Sequence, residues 1–212
     1  MNNLKQYFGL VLLSVFLLSG YSASAAETES QSIESPITML KRTSDEVMDV
    51  LSKQRELLET EPDRLFDIIE KYIIPNLDDV TMAKLALGKN WRAANNDQKI
   101  DFVDQFRELL VLTYGKSLRE FRDQEIHFFP VNVDAQTTKV TVKSEVIQPG
   151  GPVIPVSYKM RVKDNAWKVY DISIDGVSLV TSYRGTFAQE IRKGGMEGLL
   201  SMLRDRNKRS KT

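Results

Sequence analysis

The chain has 212 residues, with 29 basic and 29 acidic side chains, one histidine and no cysteine. Even charge argues against a nucleic-acid partner, which calls for a basic stripe. The lack of cysteine excludes a disulfide framework, a thiol nucleophile and a lipoprotein anchor, so a hydrophobic core alone must carry stability, and a chain of this length can build one.

The N-terminus carries export information. Lys5 is followed by an apolar run over residues 8–18 and by Ala23, Ser24 and Ala25. A positive start, a short apolar core and a small-residue site predict a secretory signal peptide over residues 1–26, removed on export. The run is shorter than the ~20 residues of a membrane span, and no second long apolar run follows. Residues 27–34 are polar and aperiodic and read as a flexible leader. A single domain is expected over 35–203, with a basic tail over 204–212.

Helical spacing opens the mature chain. Ser35 as N-cap and Pro36 at the first helical position precede Leu40, Val47, Val50, Leu51, Leu57 and Leu58, which predicts a helix to about Glu59. Pro62 opens a second helix with Leu65, Ile68, Ile69, Tyr72 and Ile73 on one face, and Pro75 stops it. A third runs from about Leu77 to Leu87, with the acidic pair Asp78 and Asp79 at its start and Gly88 at its C-terminal cap. Asn96 is placed to cap a long fourth helix. Its stripe of Ile100, Phe102, Val103, Phe106, Leu109, Leu110, Leu112 and Tyr114, continuing through Leu118 and Phe121, is wide enough to be deeply covered.

After Asp123 the period falls to two. Strands are expected over residues 126–133, with Pro130 at an edge or bulge, then 139–143, 156–162 and 167–174. The 149–152 segment (Pro-Gly-Gly-Pro) and Asp164–Asn165 supply turns. Residues 187–203 read as one or two short helices broken at Gly194 and Gly195. Helices first and strands afterwards predict an α+β fold: a curved antiparallel sheet of about four strands packed against helices, with an N-terminal helical lobe. A cavity would then lie between the sheet and the long aromatic helix.

Residues for catalysis are few. His127 alternates with Ile126 and Phe128 and reads as a solvent-facing strand residue. No phosphate loop, dinucleotide fingerprint or zinc pattern is present. Asp171 and Asp175 lie four apart and would share a face. If buried, one would be a candidate base, but the opposite face, with Tyr170, Ile172 and Ile174, looks like the core side, so a solvated carboxylate face is expected.

Three segments carry a family resemblance: residues 88–92 (GKNWR), 102–114 (FVDQFRELLVLTY) and 167–179 (WKVYDISIDGVSL). Ser182, Tyr183, Arg184, Phe187 and Gly195 follow them. In this order the chain resembles the MlaC family, also called the toluene-tolerance auxiliary family, of periplasmic phospholipid-binding proteins. Asn90 departs from the aromatic expected there. The resemblance implies a sheet of nuclear-transport-factor-like shape and a cavity that encloses the acyl tails of a glycerophospholipid. It also implies shuttling between an outer-membrane lipoprotein–porin complex and an inner-membrane ABC transporter with an MCE-domain protein, maintaining outer-membrane lipid asymmetry. No cofactor, metal or enzymatic activity is expected. The walls assigned from the residues are Phe106, Leu109, Leu110 and Tyr114 on the long helix, Val142, Tyr158, Met160, Tyr170 and Ile172 on the strands, and Val177 and Leu179 after them. Trp91 and Trp167 are assigned to structure, and Arg92 and Arg184 to a head group or a carboxylate. The competing readings are a steroid-isomerase-like acid–base enzyme using Asp171 or Asp175, and a ligand-free adaptor.

Overall fold

The structure, a computed structural model, describes residues 33–61, 63–119 and 124–211. The signal segment, most of the leader, Pro62 and Phe121 lie outside the described residues.

Ser35 caps α1 (Pro36–Lys53) by accepting from the Thr38 amide at 3.1 Å. The helix ends earlier than its apolar spacing suggested. Gln54 leaves helical geometry, and a separate α2 (Arg55–Thr60) follows. Next come α3 (Arg64–Ile68), a π turn (Ile69–Ile73) and a 3-10 turn (Ile74–Asn76) that contains Pro75. A β-carbon at Gly115 would stand 2.9 Å from Ile69 Cδ1, so this glycine admits the π turn against the long helix.

Asp78 caps α4 (Asp79–Leu87), and Gly88 ends it with φ 56°. Arg184 donates to the Leu85 carbonyl at 3.0 and 2.6 Å, so it closes the end of α4 rather than meeting a carboxylate. The 3-10 turn Gly88–Arg92 leads to α5 (Asn96–Arg119). The cap of α5 is Asn95, one residue earlier than predicted. Asn95 Oδ1 accepts from the Gln98 amide at 2.9 Å, and Gln98 Oε1 accepts from the Asn95 amide at 3.1 Å, a reciprocal capping box.

The strands are β1 (Glu125–Phe128), β2 (Lys139–Ile147), β3 (Ile154–Lys163), β4 (Ala166–Ile174) and β5 (Val177–Ser178), antiparallel and in sequential order. The α+β class holds, with five strands in place of four. β1 stops at Phe128, before the proline that cannot donate to a ladder. Both short hairpins use two residues at positive φ, Asp164 with Asn165 and Asp175 with Gly176, the backbone that matches strand twist. Asp175 is therefore a turn residue and not a strand partner of Asp171.

A bulge interrupts the β3–β4 register. Lys159 pairs with Asp171 and Met160 with Val169, leaving Tyr170 unmatched. One strand thereby serves two cores. Trp167, Val169 and Ile172 join Val142, Met160 and Phe128 on the sheet face covered by Met39 and Leu40 of α1. Tyr170 packs instead against a second cluster formed by α4, α5 and α6 (Arg184–Lys211), centred on Phe102, Phe106, Leu109 and Phe187. A third cluster joins the rest of α1 to α2, α3 and the π turn. Within α6, Gly194 and Gly195 leave helical geometry, as expected of a break, but helix then continues to Lys211. The basic segment after 203 is thus helical and docked: Arg204 pairs with Asp101, and buried Asn207 donates to the Gln105 carbonyl at 2.9 Å.

One joint ties helices to sheet. Leu77 forms a parallel bridge to Val169, and the Asp78 amide donates to the Val169 carbonyl at 2.8 Å. The buried Asp78 carboxylate accepts from the Thr81 hydroxyl at 2.6 Å and from Lys163 at 3.0 Å, with Arg161 at 3.6 Å. Burial pushes this carboxyl up, but the bonds from Thr81 and Lys163 outweigh burial and hold it below its ordinary value. A carboxyl depressed in the folded state stabilises above its unfolded pKa and loses that contribution as pH falls through the folded value. Both cationic partners are partly exposed, which weakens the pairs, so Asp78→Asn should cost about 1–3 kcal/mol at pH 7. Urea denaturation should show this gap closing as the pH is lowered below about 4.

Candidate apolar binding groove

The described residues enclose an apolar groove of about 230 Å³ between α1 and the inner sheet face. Met39, Leu40, Val47 and Met48 form the helix side, with Thr43 and Ser44 among them. Ile126, Tyr158, Val169 and Ile172 form the sheet side. Ile73, Asn76 and Leu77 come from the π turn and the segment after it, and Leu118 from the last turn of α5. The amphipathic pattern of α1 buries Met39, Leu40, Val47 and Leu51 on one side. Period two in β3 and β4 brings Tyr158 and Ile172 to the same face, where they are register partners. Burial pushes the Tyr158 hydroxyl up, so it stays protonated at neutral pH. The groove can therefore hold hydrocarbon, and the few hydroxyls and one amide on its wall leave little to read polar detail.

This is not the cavity that the long helix suggested. Tyr158 and Ile172 line the groove, while Val142 and Met160 are fully buried in the sheet-side core. Phe106 and Leu109 are buried between α4, α5 and α6, and Phe106 and Leu110 line a second, small apolar cavity of about 40 Å³ between α4 and α5. Phe106 packs edge-on against Tyr183 and Phe187, with ring centroids 5.7 and 5.6 Å apart. Tyr114 is half-buried; burial and a hydrogen bond with Tyr183 raise its hydroxyl to about 12. Tyr170 goes to the helical cluster through the bulge. Val177, 61% exposed, lies just after the Asp175–Gly176 turn, and Leu179 is half-buried. The sequence reading missed the α1 wall and the Ile73–Leu77 segment. The signal was present in α1 itself, where Met39, Leu40, Val47 and Met48 recur at helical spacing.

Asp171 also departs from expectation. It is buried, accepting from Ser178 Oγ at 2.6 Å and Lys159 Nζ at 3.0 Å. It points to the outer sheet face, because its neighbour Ile172 points into the groove. Neither Asp171 nor Asp175 lines the groove. His127 is exposed, edge-on to Phe129 at 5.0 Å, and Trp167 is buried in the sheet-side core, each as expected. Among the described residues there is no cluster of metal-ligating side chains and no helix long and apolar enough to cross a membrane.

An antiparallel sheet with an apolar cleft beneath an amphipathic helix defines a class of protein suited to holding an oily molecule. The model of the MlaC protein family matches residues 41–205. The chain belongs to the MlaC family. The toluene tolerance protein ttg2D of Pseudomonas putida is 25% identical over 187 residues, covering 88% of this chain and 82% of the relative. The intermembrane phospholipid transport system binding protein MlaC of Haemophilus influenzae is 21% identical over 206 residues, covering 94% and 92%. Among solved structures, the phospholipid-binding protein of Ralstonia solanacearum, determined in complex with a phospholipid, superposes with a TM-score of 0.75 at 30% identity. That match covers 82% of this chain and 97% of the other.

The division between groove and sealed core has a measurable consequence. Leu109→Ala should destabilise by about 2–5 kcal/mol, the cost of a cavity in a closed core. Val177→Ala, at an exposed position of β5, should change stability by less than about 0.5 kcal/mol. Chemical denaturation of both variants checks the assignment.

Proposed function

We propose that the protein is a periplasmic phospholipid carrier that holds a glycerophospholipid by its acyl tails in the groove between α1 and the sheet. The supporting observation is an apolar cleft walled by α1, β3 and β4 in a chain of the MlaC family, one relative of which was solved with a phospholipid. Exposing hydrocarbon to water costs about 0.8 kcal/mol per methylene, on the order of 24 kcal/mol for roughly 30 methylenes. A carrier must therefore enclose both tails along most of their length, and the head group is left to the rim.

A groove of about 230 Å³ is smaller than the roughly 300–1,000 Å³ that encloses a drug-sized ligand. Loading a two-tailed lipid requires α1 to move away from the sheet. The break at Gln54 between α1 and α2 gives the chain a place to absorb that motion. The protein performs no bond-making chemistry in this reading. It exchanges cargo with an outer-membrane lipoprotein–porin complex and an inner-membrane ABC transporter carrying an MCE-domain protein, and so maintains outer-membrane lipid asymmetry. Residues 1–26 direct export and are removed.

Native mass spectrometry of gently purified protein should show one or more co-purified phospholipids. Protein that is empty as isolated and stays empty after incubation with phospholipid vesicles would overturn the reading. Met48→Glu places a charge on the half-buried groove wall. It should lower the loaded fraction at least about tenfold, since a carboxylate is costly to bury beside hydrocarbon. The thermal midpoint should move by only a few degrees.

A further inference from the structure

Among the described residues, three buried side-chain atoms have no hydrogen-bond partner: Arg161 Nε, Asn207 Oδ1 and Ser144 Oγ. Arg161 stands beside the Asp78 carboxylate, and Asn207 lies where α6 meets α5. Ser144 differs in its position. It is 1% exposed in the middle of β2 and, through period two, shares the inner sheet face with Val142. A hydroxyl buried without a partner costs stability, so its place on this face needs a reason.

The register shows what Ser144 faces. It pairs with Phe128 on β1 and with Val156 on β3, while Val142 pairs with Tyr158. Ser144 and Tyr158 are therefore diagonal neighbours on one face, within reach of a long side chain. The rings of Tyr158 and Phe128 lie 6.1 Å apart, which places the phenol over this part of β2. Burial raises the Tyr158 hydroxyl and the nearby Ser144 hydroxyl draws it partly back, yet no hydrogen bond of normal geometry joins them. Tyr158 lines the groove, with the one polar side chain on its sheet side. Polar groups across the groove are already engaged: Thr43 Oγ1 donates to the Met39 sulfur at 3.7 Å, and Asn76 Nδ2 to the Tyr72 carbonyl at 2.9 Å.

A protonated phenol on an apolar wall is a donor in need of an acceptor. Methylenes cannot accept, and a head group at the rim is out of reach. The acceptor that a phospholipid carries at the start of each tail is the ester carbonyl. A small rotation lets Ser144 donate to the phenol oxygen while Tyr158 donates to that carbonyl, and a chain of two hydroxyls strengthens the outer bond.

We propose that Tyr158, positioned by Ser144, donates a hydrogen bond to an acyl ester carbonyl of the cargo and so selects ester-linked over ether-linked phospholipid. This rests on the phospholipid reading above and names the linkage that the groove recognises. A dialkyl ether lipid has the same tails and head group but lacks the carbonyl, so it leaves the phenol unsatisfied.

Mixed vesicles of dipalmitoyl phosphatidylglycerol and its dihexadecyl ether analogue, in equal amounts, supply the test. Native mass spectrometry of the loaded wild-type protein should show the ester lipid in about tenfold excess. Tyr158→Phe, which keeps the ring, should bring the ratio to about one. Ser144→Ala should lower the ratio without lowering the thermal midpoint, because it removes a hydroxyl that has no partner in the empty protein. A wild-type ratio near one, or a ratio that survives Tyr158→Phe, would overturn the proposal. A Ser144→Ala variant that loses stability and keeps the ratio would overturn the positioning role. Failure of the wild-type protein to take up either lipid would instead overturn the phospholipid reading.

Discussion

The buried carboxylate of Asp78 is the constraint on which the architecture turns. A charge at 1% exposure is tolerable only if its oxygens are met, and here they are met from two directions. Thr81 belongs to the helix that Asp78 caps, whereas Lys163 and Arg161 belong to β3. The same residue therefore starts α4 and fastens it to the sheet. Because its amide also bonds to Val169, the preceding Leu77 is carried to the border between the two cores. The groove and the second cavity are separated there by a side chain whose position is set by an ion pair and a backbone bond.

The remaining layout follows from where hydrophobic surface can go. α5 is the longest of the helices with unbroken helical geometry, and the aromatic residues of its first half pack between α4 and α6. A helix satisfied in that way has little apolar surface left for the sheet, and among its described residues only Leu118 lines the groove. The sheet face is covered instead by α1, which holds it with Met39 and Leu40 and leaves a cleft further along. Methionine suits such a wall, since its unbranched side chain repacks readily around chains of different shape.

Much of this was legible in residue order. The cap at Ser35, the acidic pair at 78–79, the glycine at 88, the period-two strands and the paired turn residues at 164–165 mark elements by local chemistry, and local chemistry does not depend on the partner. The kind of site was legible through segments that resemble a family. The walls were not. An apolar stripe says that a helix is covered but not by what, so Phe106 and Leu109 were assigned to a cavity against the sheet when they belong to the core between the helices. Asp171 misled for a related reason: alternation assigns a face, but burial of that face depends on Ser178 and Lys159 arriving from elsewhere. The bulge at Tyr170 leaves no mark in the spacing, because the extra residue is itself aromatic and apolar.

That bulge links the two halves of the molecule through the reading frame of one strand. Residues before it and after it reach the groove side only because one residue, Tyr170, is set aside for the helices. Removing a single residue between Val169 and Ile172 would restore a regular ladder and at the same time take away an aromatic plug from the helical core. Substitutions along β4 can thus be absorbed one at a time, while insertions and deletions there change both cores together, so the length of this strand should be far less free to drift than its composition.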